Sequence, residues 1–108
     1  MKWHITYLNE SVFKAIKNMP MRLKARYVAL ADRMIENGPD LGMPHTRAMG
    51  DGLFEIRVKA DGDIARVFYC TQVKREIVVL HAFVKKTQQT PKKELDLARK
   101  RLKEIKNG

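Results

Sequence analysis

Leu53-Phe54-Glu55-Ile56-Arg57-Val58-Lys59, Ile64-Ala65-Arg66-Val67-Phe68-Tyr69-Cys70 and Glu76-Ile77-Val78-Val79-Leu80-His81-Ala82-Phe83-Val84 are three successive runs rich in β-branched and aromatic residues. In the first two, apolar and polar residues alternate, which is the period of a strand with one buried face. Asp61-Gly62 between them is a strong hairpin signal, because both residue types accept the backbone angles of a tight turn. Lys74-Arg75 marks the next reversal. Ile77-Val78-Val79-Leu80 is continuously apolar, as expected of a central strand buried on both faces. Three strands joined by hairpins make an antiparallel sheet.

The flanks supply helices. Upstream, Trp3 to Leu8 alternates and reads as another strand. Asn9 or Ser11 can cap a short helix through Lys17, with Val12, Phe13 and Ile16 along one side. Pro20 suits the start of a second helix carrying Leu23, Tyr27, Leu30, Ala31 and Met34 at helical spacing, and Asn37-Gly38-Pro39 ends it. Asp40 to Gly52, with Gly42, Pro44, Gly50 and Gly52, reads as a loop. Downstream, Lys85 to Gln89 is a basic connection, and Thr90-Pro91 opens a last helix with Leu95, Ala98, Leu102 and Ile105 on one stripe. The expected fold is α+β: a mostly antiparallel sheet, two N-terminal helices packed on one face, and a C-terminal helix, all in a single domain over residues 1–108.

Strand parity then assigns faces. Phe54, Ile56 and Val58 oppose Leu53, Glu55, Arg57 and Lys59. Ala65, Val67 and Tyr69 oppose Ile64, Arg66 and Phe68. Val78, Leu80, Ala82 and Val84 oppose Ile77, Val79, His81, Phe83 and Lys85. With the apolar faces under the helices, the opposite face collects Glu55, Arg57, Lys59, Arg66, Phe68, His81, Phe83 and Lys85. Cations can hold a phosphate backbone there and rings can stack on unpaired bases. An antiparallel sheet can also leave a polar face toward water with no function attached, and a bulge would break the parity.

Composition points the same way. The 108 residues carry 22 Lys or Arg against 12 Asp or Glu, a net charge of +10 that suits a polyanionic or acidic partner. Cys70 is the only cysteine, which fits a reducing, cytoplasmic setting. His4, His45 and His81 show no metal-ligand spacing, so no metal or other cofactor is expected. Neither a signal peptide nor a membrane span is expected.

Four segments carry a family resemblance. Gly52 to Val58, Ala65 to Tyr69, Val79 to Gln88 and Thr90-Pro91 resemble the signature of phage-derived RelE-like toxins and their HigB relatives in the RelE superfamily. The resemblance implies a type II toxin–antitoxin toxin: an endoribonuclease, or mRNA interferase, that binds the ribosomal A site and cleaves mRNA there. It also implies neutralisation by a cognate antitoxin, often of helix-turn-helix type. The reaction would be a metal-independent attack of a ribose 2′-hydroxyl on the adjacent phosphate. The resemblance places Arg57 and Arg66 where relatives hold phosphate or stabilise charge, and Lys85 and Lys86 where relatives carry basic or acid/base groups. His81 and Glu55 are further polar candidates for catalysis. Lys59, Phe68, Phe83, Thr87, Gln88 and Arg47 are candidates for RNA binding. The chain departs from some relatives in having no histidine or tyrosine just after the last strand, which leaves the leaving-group acid open. Two other readings stay open: a ParE-like toxin directed at gyrase, and a basic RNA-binding module without chemistry.

Overall fold

The computed structural model describes residues 2–85 and 91–107. The elements run β1 (His4–Tyr7), α1 (Glu10–Lys17), α2 (Met21–Asn37), β2 (Thr46–Gly50), β3 (Leu53–Ala60), β4 (Asp63–Gln72), β5 (Glu76–Lys85) and α3 (Lys92–Asn107). The five strands form one sheet in the order β1-β5-β4-β3-β2. Only β1 and β5 pair in parallel; the other neighbours are antiparallel. This is the α+β arrangement expected from the sequence.

The local signals act as chemistry dictates. Asn9 caps α1, its side-chain oxygen accepting the Val12 N–H at 3.0 Å. Gly38 ends α2 at φ 106°, a backbone angle that glycine reaches without strain. Asp61 and Gly62 both have positive φ and close the two-residue hairpin between β3 and β4, where Ala60 faces Asp63.

The helices α1 and α2 lie on one face. Val12, Ile16, Leu23, Tyr27, Leu30 and Met34 pack there on Ile56, Val58, Ala65, Val67 and Tyr69. The tyrosines in this core keep partners. Tyr27 meets the Tyr7 hydroxyl at 3.0 Å, and Tyr69 donates to the Pro39 carbonyl. Burial pushes both phenols up, so they stay protonated hydrogen-bonding groups.

Three expectations need correction. The stretch Asp40 to Gly52 is not all loop, since Thr46–Gly50 forms β2 at the edge of the sheet. Its Thr-Arg-Ala-Met-Gly sequence lacks the large β-branched or aromatic residues that advertise a strand, and pairing with β3 supplies what propensity does not. The parity of the last strand also fails part-way. The β4–β5 register shifts where Phe68 faces His81 but Tyr69 faces Val79, leaving Leu80 as an extra residue. Ile77 and Val79 therefore join Ala82 in the α1/α2 core, whereas Val78 and Leu80 turn to the opposite side. The bulge leaves the Leu80 carbonyl available, and Arg101 of α3 donates to it at 2.8 Å.

Finally, the face opposite α1 and α2 is not wholly open. Ala98 and Leu102 of α3 cover Leu53, Phe68, Cys70, Val78 and Leu80. Basic residues of α3 help hold it there. Arg99 donates to the Met49 carbonyl at 2.8 Å and Lys106 to the Asp51 carbonyl at 2.8 Å. Part of what reads in sequence as a solvated basic helix face is thus a set of ties to the β2–β3 turn. Among the described residues, no helix is long and apolar enough to cross a membrane.

Candidate nucleic-acid site

Register places the polar side chains of the α3-side face in rows. His81, Phe68, Glu55 and Arg47 lie across β5, β4, β3 and β2 in the first row. Phe83, Arg66 and Arg57 form the second, and Lys85, Ile64 and Lys59 the third. Neighbouring strands sit about 4.8 Å apart, so directly opposed side chains such as Arg57 and Arg66 can act on one small anion.

The helix α3 divides this face. The first row marks the boundary: Phe68 is fully buried, while Arg57 in the next row is half-buried and Lys59 beyond it is exposed. Phe68 is therefore a correction. It was expected to present a ring to RNA, but it belongs to the core under α3, stacked against Phe83 with centroids 6.1 Å apart. Phe83 remains half-buried, and its ring also stacks with His81 at 5.8 Å. His81 is engaged by α3 as well, with Nε2 2.8 Å from Glu94 Oε1. That contact places the imidazole at the helix boundary, a row away from the paired arginines.

On the open side, Met43, Pro44, Thr46, Arg47, Glu55, Arg57 and Arg66 line a cleft. Its electrostatic centre is Glu55. The carboxylate is 1% exposed and its Oε1 is engaged by Arg66, with Arg47 at 3.4 Å on the same oxygen. A buried carboxylate requires such pairing, because removing a charge from water is costly unless opposite charges and hydrogen bonds replace the solvent. The pairing also fixes Arg66, a long side chain that would otherwise sample many rotamers. Lys85 joins the cluster from β5 and is itself buried. Burial and then the neighbouring Arg66 guanidinium lower its pKa, Glu55 opposing the shift.

Of the residues singled out in sequence, the fold brings Arg47, Glu55, Arg57, Arg66 and Lys85 together. Phe83 flanks Arg66 across the strand pair, and Lys59 lies at the outer edge. Lys86, Thr87 and Gln88 lie outside the described residues, as does the cap expected at Thr90. The cleft also contains residues that sequence reading did not nominate. Met43 and Pro44 form an exposed apolar lip, and Thr46 organises the turn below it. Thr46 Oγ1 accepts the Leu41 and Gly42 N–H groups at 2.9 and 3.0 Å and donates to Asp40 at 3.0 Å. The Gly42-Met43-Pro44 turn signal was visible, but its position beside the arginines depends on β2, which was not.

The family model described as "Phage derived protein Gp49-like" (DUF891) matches residues 14–103. The chain belongs to the Gp49-like family. That family falls within the RelE-type, toxin–antitoxin-like group. The matched span of this Gp49-like chain contains β2 to β5 and every candidate site residue named above. No curated protein matches the chain.

Proposed function

We propose that this Gp49-like chain is the toxin of a type II toxin–antitoxin pair in the cytoplasm, an endoribonuclease that cleaves mRNA in the ribosomal A site. The observation that carries the reading is the cross-strand pair Arg57 and Arg66 beside Lys85, with Arg66 held by the buried Glu55. Guanidinium forks match phosphate oxygens in geometry and charge, and they are permanently protonated. Membership of a RelE-type family directs that chemistry toward RNA.

In this mechanism a ribose 2′-hydroxyl attacks the adjacent phosphorus. The phosphorus–O5′ bond breaks, leaving a 2′,3′-cyclic phosphate and a 5′-hydroxyl. Arg57 and Arg66 neutralise the charge that accumulates on the non-bridging oxygens. Such preorganised donors typically contribute 10²–10³ in rate, about 2.7–4 kcal/mol. Lys85 is the proton-transfer group: its lowered pKa brings the neutral amine within easier reach, that amine takes the 2′-hydroxyl proton, and water protonates the departing O5′. The ribosome supplies the in-line geometry that the open cleft does not impose. Neutralisation would come from a cognate antitoxin, often of helix-turn-helix type in this branch of the superfamily.

The test is a defined translation reaction in which mRNA is followed with and without ribosomes, alongside a gyrase supercoiling assay. We expect cuts within the translated frame only when ribosomes are present, and unaltered supercoiling. Intact mRNA together with blocked gyrase would move the chain to the ParE-like reading.

A further inference from the structure

The two ends of β2 are held differently. At its start Thr46 is buried, and its hydroxyl is tied into the preceding turn. At its end the β2–β3 register shifts: Ala48 faces Phe54 and Gly50 faces Leu53, which leaves Met49 as an extra residue. A bulged residue loses part of its ladder, so its carbonyl needs another donor. Arg99 of α3 supplies one, donating to the Met49 carbonyl at 2.8 Å and to the Gly50 carbonyl at 3.4 Å. Arg101, on the same helix, meets the bulge at Leu80 in the same way. The two bulges differ in what else fixes them. Leu80 is fully buried in β5, which lies between β1 and β4. By contrast, β2 is five residues long, ends the sheet and pairs with β3 alone. A short strand with few large apolar side chains specifies its register weakly.

That register decides where Arg47 points. With the extra residue at Met49, Arg47 faces Glu55, and its guanidinium lies 3.4 Å from the carboxylate oxygen that holds Arg66. If the extra residue moved back to Arg47, Thr46 would stay opposite Ile56 while Ala48 came to face Glu55. Arg47 would then be the bulged residue, and the cleft would lose a cation. Displacing a strand by one residue turns its side chains to the other face. We infer that Arg99 is a positioning residue of the cleft: its grip on the Met49 carbonyl keeps the bulge at the end of β2, and so keeps Arg47 beside Glu55. Its consequence for cleavage rests on the function proposed above, whereas its consequence for register does not.

The experiment joins backbone NMR to the ribosomal cleavage assay, on the whole chain. Cross-strand nuclear Overhauser contacts between Arg47 and Glu55 report the register, and those between Thr46 and Ile56 are the internal control. In Arg99→Ala the first set should be lost and the second kept. Arg99→Lys retains a donor for the carbonyl and should restore the first set. Lys106→Ala removes the tie from α3 to the Asp51 carbonyl, beyond the bulge, and should leave both sets unchanged. On ribosomes, Arg99→Ala and Arg47→Ala should each slow cleavage about fivefold, the size expected for one partly exposed cation. The double variant should be no slower than Arg47→Ala, because a residue acting through another adds nothing once that other is gone. Intact Arg47–Glu55 contacts in Arg99→Ala would overturn the proposal. Their loss in Lys106→Ala would overturn it too, by making the docking of α3 in general the determinant. Additive losses in the double variant would show that Arg99 does not act through Arg47. If even the unaltered chain leaves mRNA intact, the proposed function fails, while the spectra still decide the register.

Discussion

The face of the sheet beneath α3 contains two regions built from the same strands by the same alternation, yet they do opposite work. In one, Leu53, Phe68, Cys70, Val78 and Leu80 are sealed by Ala98 and Leu102. In the other, further along the same strands, Glu55, Arg57 and Arg66 line a cleft and Lys85 adds its charge to the group. Phe68 and Arg66 are two residues apart on β4 and point the same way, and the reach of α3 makes one a core residue and the other a site residue. A strand pattern therefore specifies a face, whereas the element that covers the face decides its use.

The comparison breaks most visibly if its dry half is emptied. Phe68→Ala should destabilise the chain by about 3–5 kcal/mol, the usual cost of removing a buried aromatic ring and leaving a cavity. Chemical denaturation is the check. A loss below about 1 kcal/mol would mean that α3 covers the sheet only loosely. The other half should respond in reverse. Arg57→Ala removes a half-buried guanidinium whose Nε has no hydrogen-bond partner among the described residues. It should cut ribosome-dependent cleavage by about 100-fold or more with the denaturation midpoint nearly unchanged. Arg66 is less clean as a probe, because removing it strands the buried Glu55 charge and disturbs stability as well. Unaltered cleavage by Arg57→Ala would separate the cleft from the chemistry.

The two halves also differ in how far the sequence discloses them. Alternation in β3 and β4, the Asp61-Gly62 turn and the Asn9 and Gly38 helix ends are local signals, and each is visible in a few adjacent residues. They suffice for the α+β layering and for bringing Arg57 opposite Arg66. The bulge at Leu80 is not local. Ile77 to Leu80 is apolar throughout, so nothing in the run shows where its parity changes. The burial of Phe68 depends on the tertiary position of α3, which Arg99, Arg101 and Lys106 tie to backbone carbonyls on other elements. Backbone acceptors leave no mark on sequence, and so these cations look like a solvated stripe. Met43 and Pro44 became cleft residues for a similar reason, through the inconspicuous edge strand β2.

Lys85 sharpens the contrast by linking site chemistry to stability. The residue is largely covered, and its pKa is lowered first by desolvation and then by the Arg66 charge. The unfolded chain therefore holds this proton more tightly than the folded chain does. Between the folded pKa and the ordinary lysine value of about 10.4, the unfolded state binds more protons, so this group makes stability rise with pH. Below that window the protonated lysine contributes a constant penalty, which is relieved as pH climbs through the folded pKa. Lys85→Met should remove this rise and leave the slopes due to other groups. Urea midpoints measured at successive pH values up to about 10.4, for the two chains side by side, read the difference directly. This is the smallest of the three effects because a single proton is involved and its penalty is shared with the attraction of Glu55. If the two midpoint curves stay parallel throughout, the lysine titrates as it would in water, and the cationic half of the face is then too open to tune a proton-transfer group.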